Sequence, residues 1–195
     1  MTATLAKAAS FLATIGITVI HTDDPLTDQF IPGLEIAKGC VIRVNPTTLR
    51  NHADILHEAG HLAIMPQPFR DQMHGNTDES VMPLIDAWFN EHGMMDPVHT
   101  HIEMPFSRAL LQASELEAIA WSYAAALEAC IDPIEVFKSD EHAYNGEGPE
   151  VLFELKRNSH LGINGLAHAD MTTRQIYPKM LTWTQQARMP NLIPA

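Results

Sequence analysis

The sequence predicts an α+β fold in which a small N-terminal sheet packs on two principal helices. Three observations lead there. Ile15 to Ile20, Leu34-Glu35-Ile36 and Cys40 to Val44 are short apolar or β-branched stretches of strand character, the last two separated by Lys38-Gly39 as in a hairpin. Leu49 to Met65 carries helical periodicity until Pro66 and Pro68 stop it. Ser107 to Ile131 is rich in alanine and contains neither Gly nor Pro, which predicts a second long helix ended by Asp132-Pro133.

The remaining elements follow in order. Thr2 to Leu12 is alanine-rich and reads as an opening helix; the apolar run Ala8 to Ile20 is then a helix running into a strand, preferred over a secretory leader because it lacks a small-residue cleavage pattern. Asn45-Pro46-Thr47-Thr48 supplies a turn and an N-cap before the helix at Leu49. Residues 66 to 106 are rich in Pro, Met, His, Gly and Asp, with only Val81 to Glu91 of helical character, and read as a long surface excursion that could close over a cleft as a lid. Asn158 to His168 reads as a Gly-rich loop, and Thr172 to Arg188 as a final helix.

A chain of 195 residues fits one domain, taken here as 1 to 195, with a core large enough to need no staple. Apolar residues at 46% and charged residues at 18% exclude disorder by composition, and no stretch approaches the ~20 apolar residues that span a bilayer. Against 24 acidic residues stand 12 Lys and Arg, a formal charge of -12. That is the wrong sign for a phosphate backbone or an anionic membrane, so neither nucleic acid nor membrane is an expected partner. Cys40 and Cys130 have no second cysteine near either and read as buried free thiols in a reducing cytoplasm. Histidine, present 11 times, is the residue that stands out. It ligates metals and moves protons.

His57-Glu58-Ala59-Gly60-His61 is a H-E-x-x-H sequence within the Leu49 to Met65 helix. Positions i and i+4 share a helix face, so both imidazoles can ligate one Zn²⁺ while Glu58 reaches a water held by that ion. Composition alone gives roughly 0.04 chance matches of this pattern. A solvated helix with surface His and Glu is the bland alternative. Against it stand the apolar stripe Leu49, Ala53, Leu56, Ala63 and Ile64, and a glycine in mid-helix at Gly60. A catalytic zinc needs a third protein ligand and an open position. Pro66 to Arg70 stands where a metzincin would carry a third His, leaving the carboxylates of Ser114-Glu115-Leu116-Glu117-Ala118 in the second long helix.

A H-E-x-x-H helix followed by a helix with Glu-Ala-x-x-aromatic resembles the gluzincin metallopeptidases. The N-terminal helix and strands resemble their compact ImmA/IrrE-like and minigluzincin members, over residues 1 to 131. The resemblance implies a zincin-like fold, zinc-dependent hydrolysis of a peptide or protein substrate, His57 and His61 as zinc ligands, Glu58 as general base and Glu117 as third ligand, with Glu115 its rival. Helical geometry leans the same way, since Ala113, Leu116, Ala120, Ala124 and Leu127 cluster on one side and Glu117 borders that cluster more closely. Gluzincins also use a downstream His or Tyr to stabilise the tetrahedral oxyanion. His168 is the residue chosen for that role, with His160, Tyr123 and Tyr177 also of the right type. Asp54, one turn before His57, reads equally as a partner of that ligand or as a polar helix position. His74, His92, His99 and His101 read as solvated loop histidines rather than a second metal site. A zinc-binding regulatory or interaction protein that no longer cleaves is the rival function; it would share His57 and His61 and differ at Glu58.

Overall fold

A computed structural model describes residues 2–75, 80–91, 105–138 and 147–188. Helix α1 (Ala3–Thr14) starts at Thr2, whose side chain accepts from the Leu5 N–H, and buries Leu5, Ala8, Phe11 and Leu12 at helical spacing. It leads into β1 (Thr18–His21), and the expected hairpin is present as β2 (Leu34–Ala37) and β3 (Val41–Val44). β3 is central, parallel to β1 and antiparallel to β2, with Ile36 opposite Ile42 and Leu34 opposite Val44. These four side chains are buried, and their two-residue period turns one sheet face onto the core.

The H-E-x-x-H helix is shorter than its periodicity suggests: α2 spans Ile55–Ile64 rather than starting at Leu49. The Asn45 carboxamide oxygen accepts from the N–H groups of Thr47 and Thr48, holding residues 45 to 48 in a turn. Asn51, buried, then donates to Asp54 Oδ1 at 2.7 Å and to the Glu135 carbonyl at 2.9 Å. These polar bonds compete successfully with helix over one and a half expected turns.

After α3 (Gln67–Arg70) and α4 (Met82–Glu91), the chain enters α5 (Pro105–Leu111), α6 (Glu115–Glu128) and α7 (Pro133–Val136). The long second helix is thus two helices. Ser114 is extended at φ -116° and ψ 174°, and the break makes Glu115 the first residue of α6. The expected surface excursion is also partly core: Val81, Ile85 and Trp88 are buried, and the Trp88 ring meets Phe106 edge-on at 4.9 Å. Its histidines His92, His99 and His101 lie outside the described residues.

Two further expectations change places. Residues 162 to 168 form helix α9 (Gly162–His168), preceded by α8 (Gly148–Lys156), and the Thr172 to Arg188 segment is a run of turns. The glycines of α9 serve close contact rather than a loose loop, and the segment with Pro178 lies across the core. There the Gln185 N–H bonds the Ala63 carbonyl at the end of α2, and the Trp121 indole donates to the Trp183 carbonyl. Phe11, Trp121 and Trp183 form one aromatic cluster between α1 and α6. Among the described residues there are nine helices and one three-stranded sheet, an α+β architecture. No described helix is long and apolar enough to cross a membrane. Cys40 and Cys130 are free thiols as expected, but Cys130 is exposed and Cys40 half-buried.

Candidate metal centre

α2 packs on α6 so closely that a Cβ placed on Gly60 would lie 2.8 Å from the Ala118 carbonyl oxygen. Glycine in mid-helix is disfavoured by about 1 kcal/mol relative to alanine, and here it admits the neighbouring backbone. The contact puts Ala118 on the side of α6 facing the H-E-x-x-H helix. Glu115, three residues earlier, shares that side.

The result is a triangle of side chains. His57 Nε2 lies 3.3 Å from Glu115 Oε1, His61 Nε2 lies 3.3 Å from Glu115 Oε2, and the two Nε2 atoms are 3.4 Å apart. Among the described residues, these three side chains form the group that could hold a metal ion. Each imidazole faces a different oxygen of the carboxylate, and one ligand atom from each residue lies within 4.8 Å of the others, a spacing from which modest side-chain adjustment reaches the ~3.3–3.4 Å that separates tetrahedral ligands held ~2.0–2.1 Å from an ion. His57 is almost fully enclosed at 2% exposure, His61 is 18% exposed and the Glu115 side chain 52%. The triangle therefore has a buried side and an open side.

The electrostatics suit a cation. Burial, reinforced by the neighbouring His61, lowers the His57 pKa to about 4 against the pull of Glu115, so at neutral pH its ring is uncharged and can donate a lone pair. Burial pushes the Glu115 carboxyl up, but the His61 hydrogen bond and the electrostatic pull of the His57 and His61 rings outweigh it and hold the group below the ordinary carboxylate range. Glu58 is raised, first by burial and then by Glu115, with His61 acting the other way. A carboxylate held more basic than usual is suited to taking a proton.

The depressed His57 pKa carries a stability consequence for protein stripped of metal. The unfolded ring titrates at 6.5 and the folded one at about 4. Stability from keeping the ring neutral is thus complete above pH 6.5 and is lost as the pH falls towards 4, by about 3 kcal/mol in all. Urea midpoints measured across this range should fall less steeply for His57→Gln than for the parent; equal slopes would contradict the assignment.

The other expected residues fall elsewhere. Glu117 is outside the triangle: it is 6% exposed, and the Ser114 hydroxyl donates to its Oε2. Burial raises its pKa, while the Ser114 hydroxyl and the N–H groups at the start of α6 pull it back. The apolar face used to favour Glu117 was misjudged, because α6 is buried nearly all round from Glu117 to Ala126 while Leu116 and Leu127 are 41% exposed. A signal that Glu115 rather than Glu117 faces the histidines is present in Ser114-x-x-Glu117, a capping-box spacing that engages Glu117 at the helix start and leaves Glu115 available.

His168 is exposed on the last turn of α9, where it lines a pocket of about 240 Å³ with Asn164, Arg174 and Gln175, and none of the three donors lines that pocket. His160 is buried and accepts from the Gly162 N–H through Nδ1. The Tyr177 hydroxyl donates to the Ala120 carbonyl at 2.8 Å, and its ring stacks on Tyr123. Asp54 accepts from Asn51 at the foot of α2. His74 bonds the Gln72 carbonyl through Nδ1, on the surface.

The chain matches no protein-family model, no curated protein and no solved structure.

Proposed function

We propose that this protein is a zinc-dependent metallopeptidase of gluzincin type, with a zincin-like arrangement of α2 and α6, acting on a peptide or protein substrate. The observation that carries the reading is the convergence of His57, His61 and Glu115, with the two ring nitrogens 3.4 Å apart and each 3.3 Å from its own Glu115 oxygen, set beside the raised carboxyl of Glu58. His57, His61 and Glu115 would hold the ion, and the open side at Glu115 would admit a substrate. Zinc bound there would acidify a water and polarise the scissile carbonyl. Glu58 would accept the proton of the attacking water and return it to the departing amine. The buried, neutral ring of His57 gives the centre its fixed corner.

A metal-binding protein that no longer cleaves would use the same three donors, so Glu58 separates the two. Purified protein should carry one equivalent of zinc, lost in His57→Ala and in His61→Ala. Glu58→Gln should keep the metal and slow hydrolysis of a mixed peptide library by about 10²–10⁴-fold. Full zinc in both histidine variants would overturn the metal centre. Stoichiometric zinc in a parent that cleaves no peptide would select the non-cleaving reading.

A further inference from the structure

Glu117 stands two residues from Glu115, is buried at 6% exposure, and contributes no atom to the donor triangle. A buried carboxylate is unfavourable unless hydrogen-bonded, and this one is gripped from two sides. The Ser114 hydroxyl donates to Oε2. On the opposite side lies α9, where a Cβ built on Gly165 would sit 1.7 Å from Glu117 Oε1 and 2.4 Å from its Cδ. One turn earlier, a Cβ on Gly162 would sit 1.8 Å from the Leu116 carbonyl oxygen. The two glycines thus form a seat for the Leu116–Glu117 segment.

This seat bears on the donor triangle through the start of α6. Glu115 is the first residue of the helix, follows an extended Ser114, and has a half-exposed side chain whose rotational freedom opposes fixing. Nothing N-terminal to it continues the helix. The Ala118 N–H holds the Ser114 carbonyl at 3.1 Å, and the anchoring of Leu116 and Glu117 on α9 adds to what fixes the backbone from which Glu115 projects.

We propose that Glu117 is a positioning residue: clamped between the Ser114 hydroxyl and the glycine face of α9, it fixes the first turn of α6 so that the Glu115 carboxylate meets both His57 and His61. This rests on the triangle being a metal centre, and it adds a role for a carboxylate that does not itself touch the ion.

The test measures zinc affinity by chelator competition, and the visible spectrum of the cobalt-substituted protein, for Glu117→Ala, Glu117→Gln, Gly165→Ala and the Gly165→Ala/Glu117→Ala pair, all below their unfolding temperatures. Glu117→Ala is expected to bind one zinc about 10–100-fold more weakly, with an altered cobalt spectrum. Glu117→Gln keeps an acceptor for Ser114 and should stay close to the parent. Gly165→Ala should weaken zinc in the parent but add little once Glu117 is truncated, because the atom it collides with is gone. Should Glu117→Ala fail to fold, Glu117→Gln and Gly165→Ala still decide. Parent affinity and spectrum in Glu117→Ala, or parent affinity in Gly165→Ala, overturn the proposal. Complete loss of zinc in Glu117→Ala with retention in Glu115→Ala overturns it in favour of Glu117 as the ligand. Retention in His57→Ala and His61→Ala instead removes the metal-centre reading, a failure recognisable without any Glu117 variant.

Discussion

Glu115→Ala is expected to weaken zinc binding by more than about 100-fold, beyond the 10–100-fold that follows from removing a group behind a ligand. The carboxylate spans both histidines, with one oxygen 3.3 Å from each ring nitrogen, so its removal leaves only two of three protein donors. Glu115→Gln should recover little of this, since the amide keeps the shape but not the charge that opposes the divalent ion. Chelator competition on both variants measures the loss. A Glu115→Ala protein that holds zinc as the parent does would show that the triangle is a hydrogen-bonded cluster and not a ligand set.

The choice between Glu115 and Glu117 marks where the sequence stops being legible. His57, Glu58 and His61 lie in one continuous helix, and local i, i+4 geometry is enough to place their side chains together. The β2–β3 hairpin and the α1–β1 opening were equally readable, because turn chemistry and two-residue alternation are local. The third donor depends on a different kind of fact. Its orientation follows from the break at Ser114, which a Gly- and Pro-free stretch conceals, and from which of two packed neighbours each side of α6 meets. α2 approaches at Ala118 and α9 at Leu116 and Glu117, so α6 has no single apolar face to guide a helical projection. The glycines misled for the same reason. In Gly162-Ile163-Asn164-Gly165 they suggest a loop when read along the chain, whereas across the fold they are the contact points of a helix.

That contact supplies the second large effect: Gly162→Ala is expected to destabilise metal-free protein by about 2 kcal/mol. Two terms oppose each other. Alanine is the better helix former by about 1 kcal/mol, and a solvent-facing Gly162 would therefore gain stability on substitution. Its Cβ, however, would stand 1.8 Å from the Leu116 carbonyl oxygen, 2.4 Å from the carbonyl carbon and 3.0 Å from the Glu117 nitrogen. These are backbone atoms that no rotamer change can move aside, so α9 must slide off α6, and overpacking of this kind costs about 1–3 kcal/mol or more. The clash wins. Gly60→Ala provides the graded comparison, since its nearest atom, the Ala118 carbonyl oxygen, is 2.8 Å away and also backbone, so the α2–α6 contact must open, but by less than the α9–α6 contact. Urea midpoints of metal-depleted protein should rank the parent above Gly60→Ala and Gly60→Ala above Gly162→Ala, free of any contribution from ligand binding. A Gly162→Ala protein as stable as the parent would mean that α9 does not rest on the Leu116 carbonyl, and the seat under Glu117 would disappear with it.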